Sequence, residues 1–273
     1  RSGGCRNLRF TAVYGLNLIL FAKVSKMSEQ VDKFSIKRLV AALDPERPYS
    51  TAELANYSLR ASHAAHLAKS GWLKRLGRGV YQLPGGQLDR DKCLIFLAAQ
   101  IPGLHVGGKT ALAWRGVRHQ LAVRERLILW GDSPVRLPPW FKEAFNVTYQ
   151  TTQLFDAALP AGYGLSSLST SDAQLLVSVP ERALLELFSD TGKQQSLSET
   201  MQVAEGVRNL RPDILEVLLQ YCQRVKAVRL AKAFAEKYEQ PWLGLVTKHS
   251  ERLGSSSRWV ATMPNDELLS LKR

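Results

Sequence analysis

The stretch from Pro48 to Pro84, PYSTAELANYSLRASHAAHLAKSGWLKRLGRGVYQLP, leaves the chain few ways to fold. Ser50 followed three residues later by Glu53 is a capping-box pair, and it predicts a helix from Thr51 to Tyr57. A tight turn near Ser58 and a second helix from about Arg60 to Ser70 follow, with Gly71 where a helix-ending glycine belongs. Trp72–Leu76 and Val80–Leu83 predict two short strands joined through Gly77-Arg78-Gly79. Upstream, Phe34, Ile36, Leu39, Val40 and Leu43 recur at helical spacing, so Lys33–Leu43 is read as a first helix, broken by Asp44–Pro48. Three helices closed by a hairpin are the elements of a winged helix-turn-helix, a shape that reads DNA.

The second helix of the turn carries the chemistry. At about 100° per residue, Ala61, Ala64, Ala65, Leu67 and Ala68 fall on one face and Ser62, His63, His66, Lys69 and Ser70 on the other. Ser62, His63 and His66 are expected at base edges in the major groove, with Arg60 and Lys69 at the helix ends nearer phosphates. Lys74, Arg75 and Arg78 on the hairpin suit the backbone or minor groove. Trp72 is expected to bridge helix and wing, so that its loss unfolds the domain. From Phe34 to Leu83 there are eight Lys/Arg against three Asp/Glu. The plainer reading is a solvated amphipathic helix beside a charged loop; the attached basic hairpin favours nucleic acid.

The whole chain carries a formal charge of +13, which points to a polyanion partner, and 45% apolar residues suffice for a real core. Its 273 residues allow two domains. The expected division is an N-terminal extension over 1–33, a winged domain over 34–86 and a larger C-terminal domain over 89–273, an α+β chain. In the extension, residues 1–26 hold five basic residues and no acid, and the apolar run Phe10–Ala22 is too short to span a membrane. Met27-Ser28-Glu29 looks like a natural start, which makes the preceding residues translated upstream sequence. Cys5, Cys93 and Cys222 form neither a disulfide framework nor a zinc pattern, which suits a reducing cytoplasm.

The C-terminal part reads as mixed α/β with a helical end. Helices are expected over Lys92–Gln100, Glu181–Ser189, Gln194–Val207, Pro212–Cys222 and Val225–Tyr238. Strands are expected at Leu127–Trp130 and Val147–Tyr149, with a Pro138-Pro139 loop between them, and Leu175–Pro180 is a further apolar run. Gly103-Leu-His-Val-Gly-Gly108-Lys109-Thr110 meets the spacing of a phosphate-binding loop. That loop needs a buried strand running straight into its first glycine, and Ile101-Pro102 breaks the chain there, so a structural glycine turn before a helix is preferred to a nucleotide-binding enzyme. His63 and His66 could pair on a metal but have no third ligand nearby. No catalytic constellation, metal site or cofactor site is expected. The basic residues Arg208, Arg211, Arg224, Lys226, Arg229, Lys232 and Lys237 are read as solvated helix surface, or else as a second polyanion face.

The runs GWLKRLGRGVYQLP, HVGGKTALAWRG and SVPERALLEL, in this order and spacing, resemble the AbiEi family from about Phe34 onward. The resemblance implies a cytoplasmic antitoxin of a type IV toxin–antitoxin system that doubles as a transcriptional repressor. Its winged domain would bind inverted repeats in its own promoter, as monomers on paired half-sites. Its C-terminal domain would counter a nucleotidyltransferase-like toxin without a stable complex. The chain does not resemble that toxin, because Gly254-Ser255 is followed by no pair of metal-binding acids. The alternative is a regulator without antitoxin activity whose C-terminal part senses a ligand or mediates assembly.

Overall fold

A computed structural model of the chain describes residues 36–117, 126–168, 175–193, 195–254, 257–262 and 268–271, and the chain divides into two units, 1–89 and 90–273. The N-terminal extension, Phe34 and Cys5 lie outside the described residues.

The first unit follows its local signals closely. Helix α1 covers residues 36–42, strand β1 is Tyr49–Ser50, α2 is Thr51–Ala55 and α3 is Ala61–Lys69. Ser50 caps α2 as expected: its Oγ accepts from the Glu53 N–H at 3.1 Å, and Glu53 Oε2 accepts from the Ser50 N–H at 2.8 Å. Helix α2 ends two residues before the expected Tyr57, and Ser58 turns the chain at φ 62°. Gly71, at φ 82°, ends α3 and lets the Trp72 and Leu73 N–H groups both donate back to the Leu67 carbonyl. Strands β2 (Lys74–Gly77) and β3 (Val80–Gln82) form the hairpin, and β1 adds to β3, giving an antiparallel sheet of order β1-β3-β2. One core of Ile36, Leu39, Leu43, Leu54, Leu59, Leu67, Leu73 and their neighbours holds helices and sheet together.

Two expectations for this core need correction. Val40 is exposed, because Ile36, Leu39 and Leu43 already fill the buried stripe of α1. Trp72 is 46% exposed, whereas the next residue, Leu73, is 3% exposed and joins the core. The backbone reversal at Gly71 turns Leu73 inward and leaves the indole outside. Trp72→Ala is therefore expected to leave the unit folded, with a melting temperature within about 3 °C of the parent, as surface changes usually cost under about 0.5 kcal/mol. A thermal melt by circular dichroism checks this, and the contrasting Leu73→Ala should cost about 2–5 kcal/mol.

The second unit begins with α4 (Arg90–Ala98), β4 (His105–Val106) and α5 (Gly108–Trp114). Next come β5 (Leu127–Trp130), α6 (Pro139–Ala144), β6 (Val147–Gln150), β7 (Leu165–Ser166) and β8 (Val177–Ser178). The sheet runs β6-β5-β4-β8-β7; the β5–β6 and β4–β8 pairs are parallel, and β4–β5 and β7–β8 are antiparallel. The sequence supports a helix where a Pro138-Pro139 loop was expected: Pro139 occupies its first position, where a missing N–H costs nothing, and Trp140 and Phe141 are buried.

Helix α7 (Pro180–Asp190) is the axis of this unit, buried along nearly its whole length. Against it pack α8 (Leu197–Glu205), α9 (Pro212–Tyr221) and α10 (Val225–Lys237), and α11 (Leu243–Arg252) packs on α9 and α10. Helix α11 and the closing hairpin β9 (Trp259–Thr262) and β10 (Leu268–Leu271) add to the expected helical end. No helix among the described residues is long and apolar enough to cross a membrane.

Candidate nucleic-acid interface

From Arg60 to Gln82 the chain carries Arg60, Lys69, Lys74, Arg75 and Arg78 and not one acid. All five are exposed, and among the described residues none forms an ion pair with a carboxylate. Glu53, on the neighbouring α2, is held by its capping box and paired with Arg47. Ser62 and His66 are exposed on α3, and His63 is half-buried. The inner face of the helix is narrower than expected: Ala64 and Leu67 are buried and Ala68 packs on the core, but Ala61, in the first turn, is exposed.

Arg78 stands at the hairpin tip between Gly77 and Gly79, and Gly79 takes φ 71°, a backbone conformation that glycine tolerates best. The register slips between Arg75 and Gly77, where Arg75 Nε donates to the Gly77 carbonyl at 3.2 Å. The structure thus gathers the expected residues on one helix and one adjoining hairpin, and it adds Trp72 as an exposed aromatic between them.

The glycine turn of the second unit faces inward. The Gly108 N–H donates to Glu186 Oε2 at 2.9 Å, so the turn holds one of the protein's own carboxylates. Lys109 pairs with Glu199, and β4 runs antiparallel to β5 beside it. This disposes of the phosphate-binding-loop reading. Glu186 is fully buried and also receives Ser178 Oγ at 2.8 Å, Arg182 Nε at 2.9 Å and His105 Nε2 at 3.0 Å. The other ring nitrogen of His105 faces the Gly103 carbonyl at 2.7 Å. Burial alone would raise the Glu186 carboxyl; the His105 charge and hydrogen bond, Arg182 and the Gly108 N–H outweigh it and hold the group below its ordinary value.

Asp190, one turn further along α7, shows the opposite case. It is buried, neither carboxylate oxygen has a hydrogen-bond partner among the described residues, and burial pushes it up to about 7 despite Lys193 and Lys226. The folded state keeps this proton while an unfolded Asp, near 3.9, has lost it, so Asp190 costs stability increasingly as pH rises from about 4 to 7. Asp190→Asn should therefore gain on the parent with rising pH, by on the order of 2–4 kcal/mol between pH 4 and pH 8. Melts at pH 5 and pH 8 check the sign; a gap that does not widen at pH 8 refutes it.

The basic residues of the helical end do not form one face. Arg211 grips buried Glu181 through Nε at 3.0 Å and Nη2 at 2.9 Å, and Arg229 is buried with Nη1 on the Ser257 carbonyl at 2.7 Å. Lys232 lies 3.6 Å from Glu236. Cys93 and Cys222 are both buried, and burial pushes the Cys222 thiol up to about 11. Among the described residues no group of three or more His, Cys, Asp or Glu could hold a metal.

A basic helix and hairpin joined to a larger mixed α/β unit is the build of a transcriptional regulator, and the sequence matches agree. Residues 32–123 match the family described as transcriptional regulator, AbiEi antitoxin N-terminal domain, and residues 124–268 that described as transcriptional regulator, AbiEi antitoxin, type IV TA system. The chain belongs to this AbiEi family of type IV toxin–antitoxin regulators. Its fold is similar to that of the RV2827C protein from Mycobacterium tuberculosis, at 16% identity and a TM-score of 0.55 over 84% of this chain and 89% of that one. No curated protein matches.

Proposed function

We propose that the chain represses its own operon by binding inverted repeats in promoter DNA through a winged helix-turn-helix over residues 34–86, and that residues 89–273 counter a nucleotidyltransferase-like toxin without a lasting complex. The observation that supports the DNA reading best is the set of five exposed, unpaired cations on α3 and the hairpin, in a stretch without acids. In this reading Ser62, His63 and His66 face base edges, Arg60 and Lys69 flank them at phosphates, and Lys74, Arg75 and Arg78 hold the backbone.

The test uses the full chain and an Arg75→Ala/Arg78→Ala variant, each expressed beside the toxin gene of the same operon and beside a promoter reporter. The parent should rescue growth and silence the reporter. The variant should still rescue growth but release the reporter. Loss of both activities in a folded variant would overturn the division of labour, and silencing unchanged in the variant would remove the hairpin from DNA recognition.

A further inference from the structure

A second concentration of unpaired positive charge lies in the other unit, where the C-terminal end of α7 meets the N-terminal end of α10. An open cavity of about 410 Å³ is lined there by Ser189, Lys193, Gln223, Arg224, Val225 and Lys226. Three of these six are cations and none is an acid. Among the described residues none of the three forms an ion pair with a carboxylate: Lys226 Nζ donates to the Thr191 carbonyl at 2.8 Å and Lys193 Nζ to Thr152 Oγ1 at 2.9 Å. Burial and then the neighbouring Lys193 push the half-buried Lys226 ammonium down to about 8, partly offset by Asp190 and reinforced by Arg224. Asp190 is close enough to act on both lysines, but neither of its carboxylate oxygens has a hydrogen-bond partner among the described residues, so no ion pair joins it to them. The first turn of α10, a 13-residue helix, has neither an acid nor a side-chain cap, so its positive end adds to the same field.

Like charges crowded into one partly desolvated hollow repel, and the fold keeps them together with no carboxylate in contact with them. We propose that this cavity binds a small molecule carrying a di- or triphosphate group. Its concave form and size favour a small ligand over a nucleic-acid strand, which tracks along a groove. The proposal is independent of DNA binding by the first unit.

Calorimetric titration of the full chain with pyrophosphate and with ATP, in low-salt buffer, tests it. One-to-one binding is expected, weakened at least tenfold by Arg224→Ala and by Lys226→Met, and unchanged by Lys74→Ala/Arg75→Ala. Equal affinities would assign recognition to the phosphates alone, and tighter ATP binding to a nucleotide; either supports the site. Arg224 is exposed, so its variant decides the matter if Lys226→Met fails to fold. No binding at millimolar ligand, or loss in the hairpin variant instead, overturns the proposal. So does a result in which Arg224→Ala weakens a DNA duplex while pyrophosphate does not bind, since the cavity would then belong to a nucleic-acid surface.

Discussion

Replacing Glu186 by alanine is expected to destabilise the protein by about 3–5 kcal/mol, the usual cost of removing one partner from a buried, hydrogen-bonded ion cluster. The change strands the buried His105 ring and Arg182 without their shared carboxylate, and it leaves the Gly108 N–H and Ser178 Oγ without a partner. These donors come from β4, α5, β8 and α7, so one carboxylate ties the centre of the sheet to the axial helix. At roughly 2–4 °C per kcal/mol for a unit of this size, the melting temperature should fall by about 6–20 °C. Glu186→Gln, which keeps the volume and one acceptor oxygen, should cost less. The pH dependence has a definite sign. The Glu186 carboxyl is depressed in the folded state, so its contribution is complete above the ordinary carboxylate value of about 4.3 and is lost as pH falls through the folded value. The gap between parent and Glu186→Gln should therefore be full at pH 7 and shrink in acid. A drop below about 2 °C for the alanine variant would show that the cluster contributes little.

Arg75→Ala/Arg78→Ala is expected to flatten the salt dependence of DNA binding by about two units in the slope of log K against log salt, near 0.9 per lost phosphate contact. At 0.1 M salt this amounts to on the order of 50-fold in affinity, spread evenly over operator and unrelated sequences. Fluorescence anisotropy over a salt series reads both quantities. Both arginines are exposed and outside the core, so the fold should survive. An unchanged slope would show that the hairpin does not touch the backbone, and a loss confined to the operator would move these side chains to base recognition.

Much of the first unit was legible because its signals are local. The Ser50–Glu53 box, the turn at Ser58, the stop at Gly71 and the glycines flanking Arg78 each act within a few residues, and the backbone follows them. The errors arose where a side chain's fate depends on which neighbour reaches the core first. Trp72 and Leu73 are adjacent and both apolar, and only the closed sheet decides that Leu73 enters. Val40 loses its place on α1 in the same way.

An α+β chain in two parts, a basic helix and hairpin without acids, and a family resemblance carried by three short runs all follow from the order of the residues alone. That order could not reveal Glu186, whose donors stand at positions 105, 108, 178 and 182, nor the cavity that brings Lys193 beside Arg224 and Lys226. Charge and periodicity propagate over a turn or two of helix. The pairing of β4 with β8, and the packing of α10 against α7, join residues far apart in the chain, and only those contacts separate a carboxylate held by four donor groups from one four residues later that has none.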